Sequence, residues 1–488
     1  MIAEKINTID TTENDSDGLQ QFGYQQQLNR TMGGFSSFAI SFSLISVLTG
    51  IFANFNVGFQ QVGGTIVWSW LLVSAGQLLV ALVMADLSVR FPISGYGYQW
   101  TARLMNPHYG FFTGWFLLIQ FVTGVPAISQ AMAITFTGMM GFETIGWGIP
   151  LLTIGIISSV AVIHIYGIKI VSLVNNIGVY AELMGVAILI IGLLVVWFIS
   201  GIISTENLFN TGNAIAAKAG GFSSFALSLL LGAWCLTGFE AAADLAEETQ
   251  SPRKHVPRAV ITSLVTAALA GFLIIALLML SAGNITAAQQ SNNPLLYLLQ
   301  KSIGTRATAF ISIIVLMSIY ACCVASMATG TRLLFSMSRD NMLPFSKYLC
   351  RVNEKRKVPQ YATVVIWFFS CLVIIGFRKI EIITSVGTVA AYLGYAGIML
   401  ATIITKKNFS NADGFSLRAW RKPIQIVAMF WTLLVVAALC IPDTKIEGME
   451  ELHLPAKSAL TAMLLGIVIY FVSVNKRIKK LNAGPPKI

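Results

Sequence analysis

Charged residues are scarce in this chain, making up 11% of its 488 residues against 56% hydrophobic ones. A chain this long and this apolar is not a set of ordinary water-soluble domains, so the composition predicts an integral membrane protein. The few charges are unbalanced, with 32 Lys and Arg against 21 Asp and Glu. We attribute the net charge of +11 to membrane topology and expect no nucleic-acid partner.

The sequence also lacks the patterns of metal sites and of covalent catalysis. Its four histidines lie far apart, and its six cysteines show no Cys-x-x-Cys spacing. It has no His-Glu-x-x-His pair, no nucleophile elbow and no nucleotide-binding Gly-Lys-Ser/Thr loop. These absences argue against a membrane-embedded enzyme and against an ATP-driven pump within this chain. We therefore expect no cofactor and no bound metal.

Apolar runs long enough to cross a membrane recur along the whole chain, since about 20 apolar residues suffice for a transmembrane helix. They predict an all-α membrane protein with twelve spans, of which the fourth and ninth are the shortest. The spans lie near residues 35–61, 65–88, 111–139, 149–167, 170–201, 222–243, 259–281, 307–334, 360–377, 382–404, 423–441 and 458–474.

Orientation follows from the basic residues, most of which fall on the same side as the N-terminus once these spans are fixed. The positive-inside rule then predicts that both termini are cytoplasmic, in an inner or plasma membrane. Residues 1–32 are polar and have no apolar signal-peptide core, so we expect a cytoplasmic tail, and 476–488 a second one. The basic cluster at 351–357 is expected to be a solvated loop in contact with membrane lipid.

One tripeptide occurs twice, as Leu48-Thr49-Gly50 and Leu236-Thr237-Gly238, and each copy follows a Gly-Gly-Phe-Ser-Ser-Phe-Ala segment, at 33–39 and 220–226. The first and sixth spans run in opposite directions, so the pattern indicates inverted repeats, 33–203 and 220–405, within a transport core at 33–405. Helices eleven and twelve, at 406–475, lie outside the repeats. The alternative is that the small residues only allow close helix packing.

Glycines at this depth predict interrupted helices. Backbone groups freed by an interruption are costly in lipid unless they line a protein-walled cavity. A half-helix N-terminus suits a carboxylate, and freed carbonyls suit an ammonium group. An amino acid would satisfy both.

Three sets of segments at span boundaries share a family pattern. They are FPISGYGYQW at 91–100 with PHYG at 107–110, GFE at 238–240 with SPRKHVPRA at 251–259, and TRLLFSMSRDNMLP at 331–344. Together they resemble the amino acid/polyamine/organocation permease superfamily. Residues 28–30 and 42–51 are most similar to its amino acid/choline transporter branch, which includes plant bidirectional amino acid carriers and fungal 4-aminobutyrate and choline permeases.

The resemblance implies a leucine-transporter-type fold of twelve helices, with a 5+5 inverted repeat and discontinuous helices 1 and 6, that works by alternating access. Many relatives carry Gly-Ser-Gly at the first bend, whereas this chain has Leu48 in place of the first glycine. The leucine reduces the conformational freedom of the backbone at the bend. Trp234 occupies the position of an aromatic residue that closes over the substrate and could hold an ammonium group. The implied substrate-binding residues are Ser46, Val47, Leu48, Thr49, Gly50 and Ile51 in the first bend, and Trp234, Cys235, Leu236, Thr237 and Gly238 in the second.

Ionisable side chains within the membrane are costly, by about 2.5–3.5 kcal/mol on insertion scales, and are therefore functional candidates. Glu182 lies roughly 18 Å along the fifth span, near the middle of a ~30 Å core. Proton-coupled relatives have a lysine there, so this glutamate could carry the coupled proton, attract a cation, or be protonated and hydrogen-bonded between helices. Glu240 follows the second bend and is a second candidate for coupling or gating.

Two weaker expectations concern hydroxyls and ion pairs. Ser326 and Thr329 in the eighth span could help to bind sodium, although such hydroxyls usually bond their own backbone. Acidic residues after the sixth span predict an inner gate or, as we favour, ion pairs that brace the loop. The acids are Glu247 and Glu248, and the expected partners are Arg253, Lys254 and Arg258.

The sequence thus predicts a secondary active transporter, a permease for an amino acid or an amino-acid-like amine such as 4-aminobutyrate, working by proton symport or exchange. A carrier of choline or a polyamine is the alternative, favoured by Leu48 and Glu182. A non-transporting sensor of the same ligands is a further alternative, as is a channel.

Overall fold

The computed structural model describes residues 19–28, 30–142, 146–200, 204–213, 221–353, 356, 358–405, 414–440 and 454–486. The regular elements in these ranges are helices, apart from one isolated β-bridge between Met32 and Thr249. The α-helices are α1 Gly34–Ile45, α2 Val47–Val62, α3 Ile66–Arg90, α4 Tyr96–Leu104, α5 Pro107–Met140, α6 Gly148–Tyr166, α7 Ile168–Ser200, α8 Gly221–Cys235, α9 Ala241–Asp244, α10 Pro252–Leu280, α11 Ile285–Gln289, α12 Pro294–Ile303, α13 Thr305–Arg339, α14 Ser346–Leu349, α15 Gln360–Gly376, α16 Ile380–Ile404, α17 Arg421–Cys440, α18 Leu454–Ile469 and α19 Asn475–Lys479.

Nine helical stretches of the described residues are long and apolar enough to cross a membrane, and two shorter apolar helices, Ser224–Cys235 and Gln360–Gly376, accompany them. The first stretch has 57 residues and would be ~85 Å long if it were continuous, almost three times a ~30 Å bilayer core. It is interrupted at Ser46 and by a 3₁₀ turn at Gly63–Thr65. The stretches are Gly34–Arg90, Pro107–Met140, Gly148–Tyr166, Leu173–Ile199, Pro252–Leu280, Thr305–Arg339, Ile380–Ile404, Arg418–Cys440 and Ala456–Lys479.

The observed helices extend beyond the predicted apolar runs where their ends are polar. α10 begins at Pro252 and not near residue 259, because Ser251 has a left-handed backbone and a proline at the first helical position favours a helix start. α13 likewise continues to Arg339 past the expected end at 334. Hydropathy detects only the apolar part of a helix, so it also gave no sign of the amphipathic helices α4 and α12.

The two interrupted helices lie against each other near the centre of the bundle. α2 packs on α8, α13 and α16 both pack on α5, and α7 packs on α13. The contact between α2 and α8 is close, because a side chain on Gly50 would collide with the Cβ and Sγ of Cys235. This packing brings the breaks in both helices to one place, with α5, α13 and α16 around them.

Candidate functional site

The first helix is interrupted at one residue. α1 ends at Ile45, Ser46 adopts a left-handed conformation with φ 36° and ψ 88°, and α2 begins at Val47. The Ser46 hydroxyl accepts a hydrogen bond from the Thr49 amide at 3.3 Å, so it caps α2 and lets the helix resume at once. The prediction of a bend from Ser46 to Ile51 is therefore wrong beyond Ser46. The residues Val47, Leu48, Thr49, Gly50 and Ile51 are helical.

The second interruption is longer and includes the second Leu-Thr-Gly. α8 ends at Cys235, and Gly238 has φ +100°, a conformation that favours glycine. The Gln77 amide donates to the freed carbonyl of Leu236 at 2.9 Å, and the Trp234 carbonyl accepts from the Thr237 hydroxyl at 2.7 Å and from the Thr237 amide at 3.4 Å. The two copies of the tripeptide thus differ in structure, since only the second one breaks its helix.

A cavity lies between the two interruptions. The volume open to the centres of water molecules is about 40 Å³, enough for about three waters. Of the residues predicted to bind substrate, four line it, as does Ser326, one of the sodium candidates. The full lining is Leu44, Ile45, Thr49, Gln120, Phe121, Gly124, Ile128, Trp234, Thr237, Gly238, Cys322, Ser326, Gly387 and Thr388.

The other predicted residues lie outside this lining. Thr329 donates its hydroxyl to the Ala325 carbonyl at 3.0 Å, the self-bonding expected of membrane hydroxyls. Cys235 is the residue on which Gly50 packs. The predicted residues outside the lining, all of them buried, are Ser46, Val47, Leu48, Gly50, Ile51, Glu182, Cys235, Leu236, Glu240 and Thr329.

Sequence reasoning missed the contributions of α5 and α16 to the cavity and, on α13, that of Cys322. Gln120 gave a usable signal, because a glutamine in the middle of an apolar span needs partners there. Its amide nitrogen donates to Glu240 at 3.0 Å, while its oxygen has no hydrogen-bond partner among the described residues. Apolar lining residues such as Phe121 and Ile128 resemble ordinary packing residues in sequence.

Glu182 is buried on α7 and contacts the first interruption. One carboxylate oxygen accepts a hydrogen bond from the Leu48 amide at 3.0 Å, and the other from the Ser46 hydroxyl at 2.7 Å. The Ser318 hydroxyl of α13 also donates to it. Among the described residues, these hydrogen bonds involve no cationic side chain. The carboxylate instead lies at the N-terminus of α2, where the helix dipole favours negative charge.

Glu240 is buried at the second interruption and joins it to two other helices. One oxygen accepts from the Gln120 amide at 3.0 Å and from the Tyr395 hydroxyl at 2.8 Å. The other accepts from the Gly238 amide at 3.0 Å. Glu240 therefore fixes the left-handed turn at Gly238 against α5 and α16.

The acidic residues after the second interruption form buried ion pairs with α13. Glu247 binds Arg339 through two hydrogen bonds of 2.9 and 3.0 Å, and Glu248 binds Arg332 at 2.9 Å. The prediction that these acids pair with Arg253, Lys254 and Arg258 is wrong. Sequence proximity misled it, because the actual partners lie more than 80 residues away and meet the acids only through helix packing.

The N-terminal segment that precedes α1 closes over the same end of the bundle. The Tyr24 hydroxyl lies 2.7 and 2.9 Å from the two oxygens of Asp340, and the Arg339 guanidinium stacks 3.9 Å from the Tyr24 ring. Gln26 donates to the Glu247 carbonyl at 3.0 Å. The segment thereby ties the residues after the second interruption to the end of α13.

Comparison with known proteins agrees with the resemblance seen in the sequence. The family model described as amino acid permease matches residues 32–477. An Arabidopsis thaliana protein named amino-acid permease BAT1 is 28% identical over 459 residues, covering 87% of this chain and 88% of the relative. A Saccharomyces cerevisiae protein named GABA-specific permease is 27% identical over 384 residues, covering 74% of this chain and 66% of the relative. The expected superfamily is thus confirmed, and the chain belongs to the amino acid permease family, as a multi-pass integral membrane protein that transports amino acids and is not an enzyme.

Proposed function

We propose that this permease moves an amino acid or amino-acid-like amine, such as 4-aminobutyrate, across an inner or plasma membrane by alternating access, with proton symport or exchange. The observation that carries the proposal is the cavity enclosed between two interrupted helices. Freed backbone groups are tolerated at membrane depth where they line such a cavity. The name of the yeast relative, a GABA-specific permease, supports 4-aminobutyrate as the first substrate to test.

The proposed topology has twelve spans, with both termini in the cytoplasm. The first apolar stretch counts as two spans because it is broken at Gly63–Thr65, and the two shorter apolar helices complete the number. Each Gly-Gly-Phe-Ser-Ser-Phe-Ala segment lies at the start of a helix that is then interrupted. The helix is α1, of 12 residues, for the first segment and α8, of 15 residues, for the second. This correspondence supports inverted repeats at 33–203 and 220–405, whose boundaries at 203 and 220 lie outside the described residues.

Several acceptors in the cavity suit the ammonium end of the substrate. The Leu44 and Ile45 carbonyls end α1, where the helix dipole is negative. Their hydrogen-bond partners are thiols, which are weak donors: Cys322 at 3.3 Å and Cys235 at 3.9 Å. The Gln120 oxygen, which has no hydrogen-bond partner among the described residues, offers a third acceptor. The Trp234 ring can contribute a cation–π contact of ~0.5–2 kcal/mol.

Glu182 is the proposed carrier of the coupled proton. Its position at membrane depth, without a cationic partner in the described structure, supports a carboxyl group that alternates between charged and neutral forms. We retain as the alternative that Glu182 only joins α7 to α2 and α13 by hydrogen bonds.

A second candidate function is the transport of choline or a polyamine. It is favoured by the hydrogen bond between Glu182 and the Leu48 amide, because that amide is then occupied and cannot bind a substrate carboxylate. Leu48 also stands where relatives carry a glycine.

Counterflow in proteoliposomes tests transport and separates these candidates. Vesicles loaded with unlabelled 4-aminobutyrate should accumulate the labelled compound, and neutral amino acids should compete better than choline. Inhibition by choline or putrescine alone would favour the second candidate. Thermal stabilisation by a ligand without any counterflow would contradict transport and favour a sensor.

A further inference from the structure

A chain of hydroxyl groups joins the cavity to the buried carboxylate of Glu182. Thr49 lines the cavity, and its hydroxyl lies 2.5 Å from that of Ser46. The Ser46 hydroxyl in turn donates to Glu182 at 2.7 Å. Glu182 itself is not part of the cavity lining. These two hydroxyls therefore bridge the distance between the cavity and the carboxylate.

The other hydrogen bonds of Glu182 do not offer this connection. The Leu48 amide is a backbone donor and does not pass protons as a hydroxyl does. The Ser318 hydroxyl contacts the same Glu182 oxygen as Ser46 and lies 3.4 Å from the Ser46 hydroxyl, but it does not line the cavity. In the described part of the chain, the hydrogen bond through Ser46 is thus the one that leads from Glu182 to the cavity. The left-handed backbone at Ser46 places its hydroxyl between Thr49 and Glu182.

The surroundings of these hydroxyls contain titratable thiols but no cationic partner within the described structure. Cys322 of α13 donates to the Leu44 carbonyl at 3.3 Å, and Cys235 of α8 lies 3.9 Å from the Ser46 carbonyl. Both thiols are directed at backbone carbonyls, and Cys322 also forms a side-chain hydrogen bond with Thr49. Among the described residues no ion pair holds Glu182, so protonation of its carboxylate breaks none; the Leu48 amide and the α2 dipole favour its charged form.

We propose that Thr49 and Ser46 form a proton relay between the cavity and Glu182, an inference that rests on the proposed proton-coupled function. A hydronium ion in the cavity gives a proton to the Thr49 oxygen and becomes water, as the original Thr49 proton passes to the Ser46 oxygen. The original Ser46 proton passes at the same time to Glu182. One O–H bond forms and one breaks at each hydroxyl, both hydroxyls are regenerated, and the carboxylate becomes a carboxylic acid. Rotation of the hydroxyls resets the relay.

Thr49→Val tests the relay because it removes the hydroxyl while nearly preserving the side-chain shape. The matched control is Thr432→Val: Thr432 is buried on α17, does not line the cavity, and its hydroxyl donates to the Met429 carbonyl at 2.8 Å. We expect Thr49→Val to reduce proton-driven uptake of 4-aminobutyrate at least about tenfold, as for loss of a proton-transfer group. Counterflow, which needs no net proton movement, should stay within about threefold of wild type.

Thr49→Ser should restore proton-driven uptake, and Thr432→Val should leave both activities near wild type. Proton-driven uptake at the wild-type rate in Thr49→Val would overturn the relay while leaving the transport function intact. An equal loss of uptake and counterflow would assign Thr49 to substrate binding and also overturn it. Absence of counterflow in the wild type would instead contradict the proposed function itself.

Discussion

Tyr24→Phe should weaken the closure of the proposed cytoplasmic side. The substitution removes the hydroxyl that contacts both oxygens of Asp340 but keeps the ring on which Arg339 stacks. A hydrogen bond to a charged group contributes about 1.5–3 kcal/mol, and the Asp340 carboxylate would lose one in a buried setting. Since 1.4 kcal/mol is a factor of ten, the ratio of closed to open protein should fall about 10- to 150-fold.

Labelling of Cys322 measures this opening, because the thiol lines the cavity and is buried in the closed protein. Inside-out vesicles are treated with a membrane-impermeant maleimide, and the modified peptides are quantified by mass spectrometry. Cys322 should react faster in Tyr24→Phe, while the partly exposed Cys350 serves as an internal standard.

A matched control is Tyr348→Phe, since the Tyr348 ring is half exposed and contacts only Arg351 among the aromatic and cationic groups described. It should leave the labelling of Cys322 unchanged. If Cys322 in the Tyr24→Phe protein is also labelled at the wild-type rate, the Tyr24 hydroxyl does not contribute to closure.

Three further predictions concern packing, pH and coupling. Gly50→Ala should lower stability by about 1–3 kcal/mol, because its side chain would collide with Cys235, whereas Gly155→Ala has open space and should leave thermal unfolding unchanged. Burial raises the pKa of Asp340 above its usual range, outweighing the lowering by Arg339 and by hydrogen bonds. Asp340 therefore holds its proton more tightly in the closed form than in a solvated open form, so the closed form is lost as pH rises through that raised pKa. The labelling of Cys322 should increase over the same pH range, and Asp340→Asn should abolish this pH dependence. Glu182→Gln should impair proton-driven uptake while largely retaining counterflow, and an unchanged pH dependence of uptake would contradict the coupling role.

The membrane-spanning helices were predictable because long apolar runs have few alternatives to a transmembrane helix. The second interruption was also predictable, since Gly238 takes a left-handed conformation that other residues rarely adopt. The first interruption was placed too broadly. The Ser46 side chain caps α2, so the helix resumes at Val47 and Gly50 lies within it.

The rest of the site depends on contacts between distant parts of the chain. Glu182 could be identified as a buried acid from its depth, but its partners Ser46, Leu48 and Ser318 come from helices that only packing brings together. The same is true of Arg339 and Glu247, for which sequence proximity gave the wrong partners. Hydropathy indicates whether a residue prefers lipid or water, but it does not indicate which helix the residue contacts.

Protection of Cys322 by substrate tests most directly whether the cavity between the two interruptions is the transport site. The wild-type protein is labelled with a small maleimide in the presence and absence of the compound that gives the strongest counterflow, with Cys350 again as the internal standard. We expect the transported substrate to slow the labelling of Cys322 and to leave that of Cys350 unchanged. A substrate that undergoes counterflow without protecting Cys322 would contradict this expectation.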